Sequence, residues 1–435
     1  PIAIKITMGL TLFLSGLFIA LLAKDLFGPF AAAAAGTLYV LAPYHLTDML
    51  VRHSFGEAIA FAWIPLALWG VYGAVHKACV WRMLAGALGV TFLLLTHNIT
   101  AMISGPLLLA WWIYWVVKDR RRGWRGPLLG ALAGVFGLLL AAFFWLPAFA
   151  ETDLVWSKRG LIEGYFVYWD HFVYFTQFFL TKWEHGGSFK GPVDTMSFQL
   201  GMAHWIALLG LIPVFIWCKH WRGMMIFWST ALLLSLLMCH EISAPVWRMI
   251  PTLAFVQFPW RFLVLAVLAA SLAAAPVAQW LAALRFRHYP VGLFLALLLV
   301  VSPFVFYYPM TFSKFMLYDT QENTYPVVFA DEIPGRLHDE RHQRLETFFT
   351  KETIRDHLVT ATSSDEWLPK SVGVVPRARA ATTAVVSSGE VLLEKDLRPC
   401  RYEITVNLKT AGEVRLNRFW YPGWQATVDG SEMPT

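Results

Sequence analysis

Five ionisable residues stand close together between two strongly apolar runs near the N-terminus. They are His45, Asp48, Arg52, His53 and Glu57, within the stretch LAPYHLTDMLVRHSFGEAIAFAWIPLALW at 41–69. Charged groups next to hydrocarbon are costly, so they usually face a protein interior or a wet cavity and often mark function. If 46–53 is helical, Asp48 and Arg52 are i,i+4 partners on one face. We therefore predict that this stretch forms the outer rim of a site.

Further polar residues fall at the predicted outer ends of other apolar segments. They are Thr96-His97-Asn98, Glu151-Thr152-Asp153, His240-Glu241 and the stretch QFPWR at 257–261. The last of these ends in Arg261, whose planar guanidinium suits a phosphate because it can bind two oxygens at once. Paired acids such as Glu151 and Asp153 could bind a divalent metal or act as a base. Convergence on one face predicts a polar mouth there.

The charged residues also have plainer interpretations, which the sequence leaves open. Asp48 and Arg52 could form a structural ion pair that closes the loop. Glu57 could be a helix N-terminal acid favoured by the helix dipole. Arg261 could extend its side chain to the membrane interface without binding anything.

The other polar turns have similar alternatives. His97 and Asn98 could satisfy free backbone groups in a tight turn, and the glycosylation pattern Asn98-Ile99-Thr100 could be accidental. Glu151 and Asp153 could be solvated acids. The aromatic turn at 420–424 could stack on a sugar or pack between strands.

Composition places these residues in a membrane protein. The chain is 57% hydrophobic and 15% charged, whereas soluble domains carry about 25% charged residues. A span needs about 20 apolar residues, and ten candidates are found: 2–23, 29–44, 57–75, 83–97, 99–117, 127–149, 203–218, 224–240, 260–282 and 290–308. We predict a mainly α fold, a polytopic helical membrane bundle of about ten spans over residues 1–309.

Basic residues fall in every second connection between these segments. They are Lys24, Lys77, Arg82, Lys118, Arg120, Arg121, Arg122, Arg125, Lys219, Arg222, Arg285 and Arg287. Because short basic loops stay cytoplasmic, the loops 45–56, 97–98, 150–202 and 241–259 are predicted to face outside, as is everything after 309. The aromatic loop 150–202 is predicted to lie along the membrane.

The composition becomes polar and charged after Pro309. Residues 336–357 are predicted to be helical and 382–428 to form short strands. Apolar and polar residues alternate over 402–409, as in a half-buried strand, and 410–413 predicts a hairpin turn to a strand at 413–419. We predict a small exterior α/β or β-sandwich-like domain over 310–435. The chain starts inside an apolar segment and stops just after Asp429-Gly430, so we expect further residues at both ends.

Several kinds of chemistry have no support in the sequence. There is no phosphate-binding glycine loop, dinucleotide fingerprint, zinc spacing or serine nucleophile elbow. The four cysteines, at 79, 218, 239 and 400, have no metal or redox spacing. The net charge of +6 comes mainly from basic loops at one membrane face, so we expect no nucleic-acid partner. No cofactor is predicted, although a divalent metal stays open.

Six stretches spread over the chain resemble bacterial membrane proteins of the GT-C glycosyltransferase superfamily. They are APYHLTDMLVRHSFGEAIAFAWIPLAL (42–68), LLLTHNITA (93–101), FFWLPAFAE (143–151), QFPWRFL (257–263), SSDEWLPKSV (363–372) and FWYPGWQATVDG (419–430). The chain looks most like the membrane family labelled 6-pyruvoyl-tetrahydropterin-synthase-related. That label does not describe the chemistry, because nothing here resembles the zinc site of the soluble pterin enzyme.

The resemblance implies a multi-pass protein of the bacterial inner membrane that moves a sugar from a polyprenyl-phosphate donor to an extracytoplasmic acceptor. Such enzymes usually carry an acidic base in the first exterior loop, which by our topology would precede Pro1. The reaction must stabilise the lipid phosphate and deprotonate an acceptor hydroxyl. The candidate catalytic residues are Asp48 and Glu57. The candidate substrate-binding residues are Arg52, His97, Asn98 and Arg261.

Two other functions fit the same residues. A flippase or other transporter of lipid-linked sugars usually shows internal repeats and midplane charges, neither of which is visible here. A non-catalytic membrane scaffold whose exterior domain binds glycans or partner proteins is the third hypothesis.

Overall fold

The computed structural model describes residues 2–155, 164–180, 187–192, 194, 196–284, 291–320, 382, 384–398, 401–417 and 424–433. These residues divide between two compact units. The first comprises Pro1–Ala148 and Gly164–Glu322, and the second comprises Phe149–Glu163 and Asn323–Thr435. The helix predicted at 336–357 lies outside the described residues.

The first unit consists mainly of α-helices joined by short turns. In chain order the helices are α1 (Ile2–Phe27), α2 (Pro29–Val40), α3 (Pro43–Leu50), α4 (Phe55–Lys77), α5 (Val80–Thr96), α6 (Asn98–Lys118), α7 (Arg125–Leu140), α8 (Ala142–Ala150), α9 (Met202–Leu209), α10 (Leu211–Trp217), α11 (Arg222–Cys239), α12 (Ala244–Met249), α13 (Leu263–Ala283) and α14 (Val291–Thr320). Each of the ten predicted apolar segments coincides with one or two of these helices. The prediction of a mainly helical, apolar bundle is confirmed.

The predicted count of ten spans is not confirmed. Five helical segments in the described part of the chain are long and apolar enough to cross a membrane: Ile2–Phe27, Phe55–Lys77, Asn98–Lys118, Lys219–Cys239 and Pro259–Ala283. A sixth span results if α7 and α8, which meet at a bend of 65°, form one broken span. The apolar helices Pro29–Val40, Val80–Thr96 and Met202–Trp217 are shorter than the roughly 20 residues that a straight crossing needs. The apolar segment Val291–Phe306 is the first part of the longer helix α14.

Two helices occupy the centre of the first unit. In their apolar windows, 83% of α4 and 94% of the segment Pro259–Ala283 are buried, against 28% of α1. Close helix contact at glycine helps to bury α4, since a Cβ built on its Gly70 would lie 2.2 Å from the backbone nitrogen of Gly86 in α5. A helix that is apolar on all sides must be enclosed by other elements. These two helices are therefore the rigid supports on which a site can be built.

An ion-pair cluster ties three helices together at the C-terminal end of α4. Asp25 of α1 accepts hydrogen bonds from the Arg82 guanidinium (2.7 Å) and from the Trp69 indole (3.1 Å). Lys77 lies 3.5 Å from the same carboxylate, and the Arg82 guanidinium lies 3.4 Å from the Trp69 ring centroid. Because α4 has 23 residues and a helix rises about 1.5 Å per residue, this cluster lies about 30 Å from the start of α4.

The second unit contributes six short strands among its described residues: β1 (Ala384–Val386), β2 (Glu390–Arg398), β3 (Arg401–Asn407), β4 (Val414–Leu416), β5 (Ala426–Val428) and β6 (Ser431–Met433). They form three two-stranded antiparallel sheets, β1-β4, β2-β3 and β5-β6. In β3, exposed residues alternate with half-buried ones, which confirms the alternating strand predicted there.

One strand connection differs from the prediction. The turn at 410–413 does not join β3 to β4 as a hairpin, because β3 pairs with β2 and β4 pairs with β1. The hydroxyl of Ser388 instead accepts a hydrogen bond from the Thr410 backbone N–H (3.3 Å), which fixes that turn against the β1-β2 connection. Turn composition at 410–413 predicted a local pairing, but contacts with a more distant segment decided it.

Candidate functional site

Four charged residues of the first unit meet in one place, which we call the ion cluster: Asp48, Arg52, Glu57 and Arg261. They come from α3, from the α3–α4 connection, from the first turn of α4 and from the 3-10 turn Pro259–Phe262 that precedes α13. Asp48 and Glu57 are fully buried, and Arg261 is 8% exposed. These contacts bring together four of the residues that were predicted to converge on one face.

Helix α3 places the first two of these charges. It begins at Pro43, whose fixed φ suits the first helical position, and it ends at Leu50. Arg52 then folds back so that its Nη1 donates to Asp48 Oδ1. The predicted i,i+4 ion pair therefore forms, although the helix begins and ends about three residues earlier than the predicted range 46–53. The following residue, His53, has a left-handed φ of 51°, which turns the chain sharply before α4.

Glu57 is the centre of the ion cluster. Its Oε1 accepts a hydrogen bond from the Tyr44 hydroxyl at 2.8 Å. Its Oε2 accepts one from Arg52 Nη1 at 2.9 Å and lies 3.5 Å from Arg261 Nε. Two carboxylates and two guanidiniums thus balance one another in a buried place, where an unpaired charge would be strongly destabilising.

Arg261 connects the ion cluster to the backbone before α13. Its Nη1 donates to the Val256 carbonyl at 2.7 Å and to Gln257 Oε1 at 2.8 Å. Gln257 has a φ of 67°, a left-handed conformation that is uncommon for a residue other than glycine and is found preferentially at functional sites. Arg261 is therefore enclosed by protein groups, whereas the Arg52 side chain keeps 12% of its surface exposed.

Aromatic rings cover the ion cluster on one side. The guanidinium carbon of Arg52 lies 4.3 Å from the Trp260 ring centroid, within range of an attractive cation–π contact. Trp260 in turn stacks on Phe258 at 4.7 Å and on Phe198 at 5.8 Å. Sequence reasoning did not select Tyr44 or Trp260 as site residues. The signals were there, since Tyr44 lies one helical turn before Asp48 and Trp260 directly precedes Arg261.

Several buried polar atoms of this region have no hydrogen-bond partner in the described structure: His45 Nε2, Thr47 Oγ1, Asp48 Oδ2, Trp260 Nε1 and Arg261 Nε. The last of these is near Glu57 Oε2 only as an ion pair, at 3.5 Å. Buried polar atoms normally have partners. Burial raises the pKa of the Asp48 carboxyl well above its usual value, and the neighbouring Arg52 opposes that shift. Asp48 therefore combines a carboxylate oxygen that has no hydrogen-bond partner in the described structure with a raised pKa.

His97 lies next to the ion cluster, and its side chain caps helix α6. A Cβ built on Gly56, next to Glu57, would lie 2.7 Å from the Thr96 carbonyl and 3.7 Å from His97 Cδ2, so glycine allows this close approach. The His97 Nδ1 accepts the Thr100 backbone N–H at 3.2 Å and so caps α6. Burial lowers the pKa of His97 to about 4. Asn98, the first residue of α6, is exposed, and substrate contact by either residue stays a prediction.

The remaining acidic candidates are exposed. Glu151 and Asp153 are exposed at the 3-10 turn Thr152–Leu154 and belong to the second unit. Glu241 is exposed after His240, which caps its own turn by accepting the Ile242 N–H at 3.1 Å. Within the described ranges, no three His, Cys, Asp or Glu side chains are grouped so that they could hold a metal ion.

The aromatic segment that follows Gly164 packs beside the site. His171 is held between the Tyr165 carbonyl (2.6 Å) and the Ser188 hydroxyl (3.0 Å), and its ring lies 4.7 Å from that of Phe258. The segment is therefore tied to the same aromatic group that covers Arg52. Its predicted position along the membrane surface stays a prediction.

Comparison with known proteins adds nothing to this geometry. No family model, no curated protein and no solved structure matches the chain.

Proposed function

We propose that this protein is a multi-pass glycosyltransferase of the bacterial inner membrane, which moves a sugar from a polyprenyl-phosphate donor to an extracytoplasmic acceptor. The proposal rests on the sequence resemblance to the GT-C superfamily and on one observation, the ion cluster. Two guanidiniums and two carboxylates are held at one end of the two most buried helices. A membrane protein that only needed a packed core would gain little from four charges there.

Arg52 is the residue that binds the lipid phosphate in this proposal. Its Nη1 donates hydrogen bonds to the carboxylates of Asp48 and Glu57, while part of its side chain stays exposed. A guanidinium can donate hydrogen bonds to a phosphate from its other edge without breaking these bonds. Arg261 and Glu57 orient Arg52, because both are enclosed and hydrogen-bonded within the protein.

Asp48 is the base in this proposal. Its Oδ2 has no partner in the described structure and could take the proton of an acceptor hydroxyl as the sugar is transferred. The sugar–phosphate bond breaks, the acceptor oxygen bonds to the sugar, and polyprenyl phosphate leaves with its negative charge stabilised by Arg52. Glu57 is less suited to this role because both of its oxygens are already engaged.

A donor-consumption assay tests the proposal. The full chain would be reconstituted in liposomes with labelled polyprenyl-phosphate mannose or glucose, and release of polyprenyl phosphate would be measured with membrane extract as the acceptor source. We expect release by the wild type, a loss of at least 10-fold in R52A, and normal release by R248A, which removes an exposed arginine of α12. Binding of polyprenyl phosphate would be followed in parallel.

The other outcomes identify the alternatives. Movement of the labelled lipid across the bilayer without bond cleavage would indicate a flippase. If the wild type neither binds nor consumes the donor, the proposal is contradicted and the scaffold hypothesis remains.

A further inference from the structure

A group of arginines lies at the opposite end of the helices and is unrelated to the ion cluster. Lys118 ends α6, the 3-10 turn Arg120–Arg122 follows, and Arg125 begins α7. The side chains of Arg120, Arg121 and Arg125 are exposed, and no acidic residue of the described chain forms a salt bridge with them. We call these three residues the arginine turn.

The acid that directly precedes Arg120 in the chain is paired with a histidine of α4. Asp119 Oδ2 lies 2.5 Å from His76 Nδ1 of α4, and its side chain is only 10% exposed. The other basic residues at this end behave differently, because Arg82 and Lys77 are paired with Asp25. Lys77 and Arg82 therefore hold helices together, whereas the exposed side chains of the arginine turn form no salt bridge with an acidic residue of the described chain.

Exposed apolar residues indicate the depth of the arginine turn relative to a lipid bilayer. Val117, at the end of α6, is 62% exposed, and Leu128, in the first turn of α7, is 44% exposed. Trp124 between them is 76% exposed, and tryptophan prefers the boundary between lipid tails and headgroups. The outward apolar surface of both helices thus stops within a turn of the three arginines, which is the level of the lipid headgroups.

We propose that the arginine turn binds the headgroup of an anionic phospholipid. The phosphate would accept hydrogen bonds from the guanidiniums, and the acyl chains would lie along the exposed faces of α6 and α7. A nucleic acid or other soluble polyanion fits less well, because it could not cover the neighbouring Val117, Trp124 and Leu128. This inference is independent of the proposed function, since it uses no residue of the ion cluster.

Lipid binding to the purified full chain tests the proposal. The protein in neutral detergent would be titrated with dioleoyl phosphatidylglycerol or dioleoyl phosphatidylcholine, and the bound lipid would be counted by native mass spectrometry. We expect preferential binding of phosphatidylglycerol. The triple variant R120A/R121A/R125A should weaken that binding on the order of 100-fold, because each basic residue near an anionic lipid surface contributes roughly a 5-fold factor.

The control removes three basic residues of the first unit that lie far from the arginine turn in the sequence. K5A/K190A/R248A alters three exposed residues and should bind phosphatidylglycerol as the wild type does. Equal binding of both lipids by the wild type, or equal losses in the two triple variants, would overturn the proposal.

Two further measurements do not depend on a folded triple variant. Raising the salt concentration from 50 to 500 mM should weaken phosphatidylglycerol binding to the wild type, because exposed charges are screened, and a salt-independent affinity would contradict the proposal. Glycerol phosphate, which has the headgroup chemistry without acyl chains, should compete only weakly. Full competition by it would indicate a soluble-phosphate site and would also overturn the proposal.

Discussion

At the scale of single residues, Glu57 is the member of the ion cluster through which the other side chains are connected. It is fully buried, and it contacts Tyr44, Arg52 and Arg261 at once. From the sequence alone, Glu57 could have been an acid at a helix N-terminus that is favoured only by the helix dipole. The contacts show that it balances two arginines, which is a stronger reason for a carboxylate at this position than the dipole of α4.

The variant E57Q should therefore unfold more easily. Glutamine keeps the shape of the side chain but leaves two positive charges against Asp48 alone. Removing one partner of a buried ion pair costs about 3–5 kcal/mol. Thermal unfolding in detergent should show a clearly lower midpoint for E57Q, whereas E241Q, which alters an exposed acid, should unfold like the wild type. Similar midpoints for all three proteins would mean that Glu57 is not the centre of the ion cluster.

Asp48 should determine the pH dependence of sugar transfer if it is the base. Its pKa is raised by burial, so the carboxylate forms, and activity appears, only as the pH rises through a value above the ordinary one of about 3.9. The rate of donor consumption measured from pH 4 to 8 should show this rise in the wild type. D48N should be at least 100-fold slower with no such rise. A D48N protein that folds and retains the wild-type profile would exclude Asp48 as the base.

At the scale of elements, the site depends on how turns and helices meet. The α5–α6 turn approaches α4 at Gly56, and α4 meets α5 at Gly70 and Gly86. His97 is placed in this turn as the N-cap of α6, so its side chain contributes to the structure by satisfying the first turn of that helix.

Replacing His97 should affect folding in a pH-dependent way. The pKa of His97 is lowered to about 4, whereas that of an unfolded histidine is about 6.5. The unfolded state therefore binds the proton more readily between these values, and the folded state loses stability as the pH falls through that window. H97N retains a capping side chain that does not titrate, so it should not show this loss of stability at low pH.

The alanine variant serves as the comparison. H97A should be less stable by about 1 kcal/mol at pH 7 because the cap is lost. The measurement is the unfolding midpoint of the three proteins at pH 7.5, 6 and 4.5. If H97N followed the wild type at every pH, the buried neutral histidine would not be a source of acid sensitivity.

The contact between α4 and α5 predicts an effect of a single added methyl group. In G70A the new Cβ would lie 2.2 Å from the Gly86 nitrogen, so the helices must separate, at a cost of about 1–3 kcal/mol or more. G134A is the matched control, because nothing lies within 4 Å of a Cβ at that helical glycine, and it should be neutral or slightly stabilising. Equal unfolding midpoints for the two variants would show that α4 and α5 do not pack this closely.

At the scale of the whole molecule, charge separates the two ends of the helices in the first unit. The ion cluster and the α5–α6 turn lie at one end of α4 and α6, and the Asp25 cluster and the arginine turn lie at the other. This arrangement fits the predicted orientation, in which the basic end is cytoplasmic and the ion cluster faces outside.

Thiol labelling tests that orientation. In a variant whose four native cysteines are replaced by serine, single cysteines would be introduced as S54C, N98C or R121C. A membrane-impermeant maleimide added to intact spheroplasts should label S54C and N98C, and it should label R121C only after lysis. Labelling of R121C in intact cells, with S54C and N98C protected, would reverse the assigned orientation and place the ion cluster in the cytoplasm.

The sequence by itself determined the membrane-type composition, the positions of the apolar helices and the i,i+4 pairing of Asp48 with Arg52. These properties depend on residues that are neighbours in the chain, so apolar run lengths and helical spacing are enough to predict them. It did not determine the number of crossings, because several apolar helices are short or bent and length alone does not decide how such helices are used.

Only the tertiary structure decided that Glu57 lies between Arg52 and Arg261, that Trp260 covers Arg52, and that β4 pairs with β1 and not with β3. Apart from the pair Arg52 and Glu57, which are close in the chain, each of these contacts joins residues that are distant in the chain. They result from the burial of α4 and α13 at the centre of the helices and, in the second unit, from strand pairing across an intervening hairpin. No local pattern of residues encodes such contacts, because they depend on which surfaces remain available after the other elements have packed.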